Sequence, residues 1–357
     1  MSDRADRLLR RLPELGADLL MVTSLVNVRY LTGYTGSNGV VLLGDGTRTF
    51  LTDFRYIEQA AEEVGDAFDR RIVAQELTEG VVDVIGGRRL RLGFEDAHLS
   101  IRAHAQLRER LPAGVELVPA GDPVEAMRLV KEPAEIERIA RAAELADEAL
   151  ASILERGLIG RSEREVAVAL TRAMVDLGAE ATSFDPIVAA GPHGALPHAE
   201  PRDVEIGPGQ LVVIDWGARL DGYCSDCTRT VATGEPGEDA RAVYELVREA
   251  QRVGLDAVSP GVGGREADAA ARAVIDGGGH AEHYGHGLGH GVGLEIHEGP
   301  RLSQRSEATL QAGNVVTIEP GVYIPGGFGV RIEDLAVVTE TGTRVLTSLP
   351  KELTLVG

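Results

Sequence analysis

Two apolar runs that each stop at a carboxylate constrain this chain more than any other feature. Leu211-Val212-Val213-Ile214 ends at Asp215, and Val315-Val316-Thr317-Ile318 ends at Glu319. Short β-branched runs of this kind read as buried strands. Each is followed by a turn signal and a second carboxylate, Asp226 after the first and Glu333 after the second. Asp215 and Asp226 are eleven residues apart, an odd separation. In an antiparallel hairpin, an even-numbered loop puts residues of odd separation on one face. A two-residue turn at Leu220-Asp221 sets the two carboxylates directly opposite, whereas one at Asp221-Gly222 makes them diagonal neighbours. Glu319 and Glu333 are fourteen residues apart. That even separation needs an odd loop or a bulge, and Pro325-Gly326-Gly327, centred on Gly326, offers one.

Buried carboxylates placed this close repel one another and take up protons unless a cation intervenes. Seven of the nine histidines lie between His193 and His297, in the interval that separates the two carboxylate pairs or beside it. The stretch His286-Gly-Leu-Gly-His290-Gly-Val-Gly-Leu-Glu-Ile-His297 is too rich in glycine for a helix interior. It is expected to be extended and close to other backbone. Four carboxylates and one imidazole carry a charge near -4, which two divalent cations balance. Mostly hard oxygen donors with one nitrogen suit Mn²⁺, with Co²⁺ and Zn²⁺ also compatible.

The rest of the chain frames this centre. A net charge of -20 argues against nucleic acid and anionic membrane surfaces as partners. Asp3, Asp6, Glu14 and Asp18 interrupt the N-terminal apolar residues, so no signal-peptide core is read there. No run approaches the roughly 18 apolar residues of a membrane span. Cys224 and Cys227 make no disulfide framework, and their spacing on a strand points them to opposite faces. A soluble, cytoplasmic protein is expected.

Residues 1–120 read as alternating α/β, with strands at Leu19–Val22, Leu90–Phe94 and Val115–Val118, and a hairpin about Gly44-Asp45-Gly46. Pro119 to Pro123 reads as a linker, giving expected domains of 1–122 and 123–357. Beyond it the plan helix, helix, hairpin occurs twice. A helix follows Pro133 and another follows the Ser162/Glu165 capping box, before the Leu211–Ala232 hairpin. Helices at Ala240–Val258 and Glu266–Ile275 then precede the Val315–Val338 hairpin. Trp216 is expected in the core, His98 and His104 on the surface, and His193, His280 and His283 in loops. Asp53-Phe-Arg-Tyr56 reads as a helix start.

Asp215, Asp226, His290 within Gly-His-Gly-Leu-Gly-His-Gly-Val-Gly, Thr317-Ile-Glu-Pro-Gly321 and Arg331-Ile-Glu-Asp334 together resemble the five-ligand signature of the pita-bread metallopeptidases. That family includes methionine aminopeptidase, aminopeptidase P and prolidase. Residues 1–120 resemble its creatinase-type N-terminal domain, and Arg128-Leu-Val-Lys-Glu-Pro-Ala-Glu-Ile136 resembles the usual start of its catalytic domain. The resemblance implies an α/β N-terminal domain, an α+β pita-bread catalytic domain with internal pseudo-twofold symmetry, and a homodimer. It implies two metal ions held by Asp215, Asp226, His290, Glu319 and Glu333, with Asp226 and Glu333 bridging and a metal-bridging hydroxide as nucleophile. Glu319 is implied as general base and acid, and His198 and His297 as contacts to the scissile group. His286, Tyr323 and Arg331 are implied in the substrate pocket. A proline after the scissile bond supplies no N–H and restricts its neighbour, which explains a dedicated enzyme. The compact N-terminal domain with Asn27-Val-Arg-Tyr-Leu-Thr-Gly33 favours an Xaa-Pro aminopeptidase acting on peptides with proline in second position. The alternative is an Xaa-Pro dipeptidase. A metal-free creatinase-like enzyme or a non-catalytic binding protein on this fold is disfavoured by the complete ligand set.

Overall fold

The computed structural model describes residues 4–44, 46–74 and 76–357, so Asp3 and the turn residue Asp45 lie outside the described residues. The chain divides into two compact units, Met1–Met127 and Arg128–Gly357.

The first unit is built on a six-stranded mixed sheet. Its spatial order is Asp69–Val73, Thr47–Asp53, Val40–Gly44, Leu19–Val22, Leu90–Phe94, Val115–Pro119. The Val40–Gly44 and Thr47–Asp53 strands form the expected hairpin; Asp69–Val73 joins it in parallel on one side, and Leu19–Val22 joins it antiparallel on the other and continues into two parallel strands. Leu19 to Val22 is buried throughout, as a central strand covered on both faces must be. Pro119 still pairs with Phe94, and Ala120 N donates to Phe94 O at 2.9 Å, so the stretch read as a linker begins inside the sheet. Asp53 accepts from Arg55 N at 3.0 Å and so caps the 3₁₀ turn Phe54–Tyr56, which leads into the helix Ile57–Glu63.

The second unit carries the repeated plan. Helices Pro133–Leu154 and Glu163–Asp176 precede the first hairpin, and Glu238–Ala257 and Gly264–Gly277 precede the second. Ser162 and Glu165 cap each other's backbone N–H groups, which starts the second helix where the sequence indicates. Each helix pair covers one hairpin. Ile153, Leu170, Ile214 and Trp216 share one core, and Val258, Ala271, Val316 and Ile318 share another. Trp216 is fully buried, and its indole N–H donates to Ala146 O at 2.8 Å, which satisfies the polar edge of an otherwise apolar side chain.

Candidate metal centre

Both hairpins bend out of one sheet and into another at their carboxylates. In the first, Leu211–Trp216 pairs with Cys227–Ala232, and beyond a break Ala218–Leu220 pairs with Tyr223–Cys224. The register is continuous across the break, with Asp215 opposite Thr228 and Leu220 opposite Tyr223. The turn is therefore Asp221-Gly222, both with positive φ (50° and 82°), as a type I′ hairpin requires. Asp226 lies two residues from Thr228, so it is the diagonal neighbour of Asp215 on the same face. In the second hairpin Ile318 faces Asp334 and Gly321 faces Arg331. That register places Glu319 opposite Glu333, and Ile324 opposite Phe328 leaves a three-residue loop centred on Gly326 (φ 72°).

His290 comes from the short strand Gly289–Gly291, which lies against Val315–Ile318. The flanking glycines are required by close packing. A Cβ on Gly289 would lie 2.0 Å from Thr317 O, and one on Gly291 would lie 1.9 Å from Gly299 O. His290 Nδ1 donates to Gly291 O at 3.1 Å, which turns Nε2 toward the carboxylates. Nε2 is 3.3 Å from Glu319 Oε1 and 3.5 Å from Asp226 Oδ2. Asp226, His290 and Glu333 each place one donor atom within 4.8 Å of the others.

A surrounding layer of hydrogen bonds aims the carboxylates. Thr228 Oγ1 donates to Glu333 Oε2 at 2.7 Å and accepts from Arg331 Nε at 3.0 Å. Thr317 Oγ1 donates to Glu319 Oε1 at 3.0 Å and accepts from His290 N at 3.1 Å. Arg331 Nη2 pairs with Asp215 Oδ2 at 2.6 Å, and Nη1 donates to Tyr323 OH and Pro197 O. Arg331 and Tyr323 are buried, and Arg331 supports the Asp215 carboxylate. His286 joins them, with Nε2 3.0 Å from Tyr323 OH.

The donor set fits cations. Asp215 Oδ1 and Glu333 Oε1 are buried without a hydrogen-bond partner among the described residues. Burial, and then the neighbouring Glu333, Asp215 and Glu319, push the Asp226 carboxyl well above its ordinary range. Burial with Glu319 and Asp215 does the same to Glu333. Glu319 behaves oppositely. Burial raises it, but the hydrogen bond and charge of His290 outweigh that and hold it down to about 2. Without metal, the cluster relieves its repulsion by protonating; divalent cations would replace those protons.

The cluster opens into a cavity of about 540 Å³ whose wall includes His198, His286, His297, Arg301 and Arg331. His198 and His297 are exposed there, and the His297 ring packs edge-on to His290 at 4.4 Å. The other histidines lie elsewhere. Buried His193 contacts Glu163 Oε2 at 2.9 Å, and His280 and His283 contact each other at 3.1 Å. His98 is exposed, and His104 packs on Phe94. Both cysteines are buried thiols, and burial pushes Cys224 up to about 11, which keeps it protonated and unreactive.

Sequence reasoning missed Thr228, Thr317 and Arg301. The threonines had a signal. Thr228 lies two residues after Asp226 and Thr317 two before Glu319, so strand alternation puts each on its carboxylate's face. Arg301 had none, because its place depends on Glu298–Leu302 pairing with Gly289–Gly291. Its exposed side chain makes no hydrogen bond or ion pair among the described residues.

Residues 137–340 match the model of Metallopeptidase family M24, and residues 4–130 match that of the Creatinase/Prolidase N-terminal domain. A solved Xaa-Pro dipeptidase from Bacillus anthracis superimposes with a TM-score of 0.96 at 40% identity, covering 99% of each chain. The Xaa-Pro dipeptidase of Pyrococcus furiosus is 38% identical, covering 99% of this chain and 100% of its own. An X-Pro aminopeptidase from Thermotoga maritima superimposes with a TM-score of 0.91 at 35% identity, covering 99% of this chain and 100% of that one.

Proposed function

The chain belongs to metallopeptidase family M24, and we propose that it is a two-metal Xaa-Pro dipeptidase. Asp215, Asp226, His290, Glu319 and Glu333 would hold two divalent ions, with Mn²⁺ the preferred occupant. When bound, such a pair supplies Lewis acidity and lowers the pKa of water at the site.

The residues supply the rest. Glu319 is ionised and held by Thr317 and His290, so it can accept a proton from the attacking water. It then returns that proton to the proline nitrogen, a secondary amine that leaves poorly as an anion. His198 and His297 stand on the cavity wall to hydrogen-bond the scissile carbonyl and the oxyanion that develops from it.

Arg301 is the observation that carries the dipeptide reading. A dipeptide ending in proline presents a carboxylate one residue beyond the scissile bond. An unpaired guanidinium on the wall of the cavity is suited to receive it, and a longer peptide has no charge at that place. The likeness to dipeptidases of Bacillus anthracis and Pyrococcus furiosus supports the same choice over the aminopeptidase that the N-terminal domain suggests. The aminopeptidase remains the second reading, supported by the likeness to the Thermotoga maritima structure. The test is hydrolysis of Xaa-Pro, Xaa-Pro-amide and Xaa-Pro-Yaa by Mn²⁺-loaded protein. A dipeptidase cleaves the first at least tenfold faster than the others, and R301M removes that preference by raising KM. Equal or faster cleavage of the tripeptide overturns the proposal in favour of the aminopeptidase.

A further inference from the structure

The loop that carries His297 is held by four charges that take no part in the reaction described above. Arg128 Nη2 lies 2.7 Å from Glu295 Oε2 and 2.5 Å from Glu298 Oε2. Lys131 Nζ lies 2.7 Å from Glu298 Oε1. Arg128 and Lys131 are 3% and 4% exposed, so both cations are held out of water. Desolvation makes such a cluster a poor source of net stability, and apolar side chains of similar volume would pack as well. What it supplies is geometry. The two carboxylates lie two residues before His297 and one after it, so they fix the backbone on both sides of the imidazole. Gly293 allows this, since a Cβ there would lie 2.4 Å from Glu298 Oε1.

The cations are themselves anchored to the metal centre's own strand. Lys131 N donates to Gly313 O at 2.8 Å, and Asn314 Nδ2 donates to Leu129 O at 2.8 Å. Gly313 and Asn314 immediately precede Val315–Ile318, which ends at Glu319. The segment Arg128–Lys131 thus references the His297 loop to the strand that delivers Glu319.

We propose that Arg128 and Lys131 are positioning residues that hold His297 at its working distance from the metal centre. The proposal rests on the reading of His297 as an oxyanion contact, and its test separates the two. In Mn²⁺-loaded full-length protein, R128M and K131M are expected to lower kcat on an Xaa-Pro dipeptide about ten- to hundredfold, the scale of a misplacement near 1 Å, with KM changed less than about threefold. R128K should recover most of that loss. In an H297A background, R128M should lower kcat by less than about twofold, because the residue it positions is gone. Hydrogen exchange followed by mass spectrometry should quicken about tenfold or more over residues 292–298 in R128M, and stay unchanged over 315–318. Multiplicative losses in the H297A background, or unchanged exchange in the loop, overturn the proposal. If R128M does not fold, E295Q carries the same cycle, since Glu295 is the half-exposed member of the cluster. If the parent cleaves no Xaa-Pro substrate, the dipeptidase reading falls and the exchange experiment alone decides the clamp.

Discussion

Thr228→Val isolates one hydroxyl between two charged groups of the centre. Thr228 is fully buried, and valine keeps its volume and β-branching, so packing changes little. The change removes the 2.7 Å bond to Glu333 and the 3.0 Å bond from Arg331 Nε. With metal bound, Glu333 is ionised, and each bond involves a charge worth about 1.5–3 kcal/mol, so the sum is about 3–6 kcal/mol. Without metal, burial and the neighbouring Glu319 and Asp215 push the Glu333 carboxyl upward and favour its protonated form. In that form its bond is neutral and worth about 0.5–1.5 kcal/mol, so the total falls to about 2–4.5 kcal/mol. Scanning calorimetry of the chelator-treated variant should therefore show Tm lower by about 5–15 °C, at about 2–4 °C per kcal/mol for a unit of this size. The difference between the two states, about 1–1.5 kcal/mol, must surface as weaker Mn²⁺ binding, with Kd raised about five- to thirteenfold by titration calorimetry. Thr228→Ser keeps the hydroxyl and should restore the affinity. A Tm within about 2 °C of the parent together with an unchanged Kd would refute the reasoning.

The other predictions concern the centre and its support. Asp226→Asn should lower the bound metal below two ions per chain by elemental mass spectrometry, and reduce kcat by about a thousandfold or more. Chelator-treated protein should lose stability as pH rises. Asp226 and Glu333 have folded-state pKa values above their unfolded ones, so the folded state binds more protons, and unfolding free energy falls from near pH 4 upward through the folded pKa values. Urea midpoints across that range measure it, and a rise with pH would contradict the repulsion argument; Mn²⁺ loading should flatten the slope. Trp216→Phe should cost about 2–4 kcal/mol in urea unfolding, because it removes the buried indole bond to Ala146 O and leaves a void. A loss below about 1 kcal/mol would show that the indole bond contributes little.

The two hairpins were legible because their information is local. An apolar run marks a strand, a Gly-bearing turn sets the loop, and the parity of a separation decides whether two carboxylates share a face. Parity also separates adjacent Glu333 and Asp334. The first faces the centre, while the second turns away to Arg229 at 2.9 Å and Lys351 at 2.6 Å, a purely structural pairing. The twice-repeated helix, helix, hairpin order was legible for the same reason, although Pro119 proved to be strand rather than linker.

Alternation names a face but not what lies across from it. The sequence alone could not assign Arg331 to Asp215, since the two are 116 residues apart and meet only when the two hairpins pack. It could not find Arg301 on the cavity wall, or Arg128 beneath the His297 loop, because a cation's partner depends on long-range packing. Two carboxylate-bearing hairpins with a histidine supplied between them were therefore determined by the chain's own pattern. The aim of each carboxylate, and the placing of Arg301 on the cavity wall, were decided by tertiary structure, where the low-dielectric interior makes an unpaired buried charge costly and so fixes which buried pairs form.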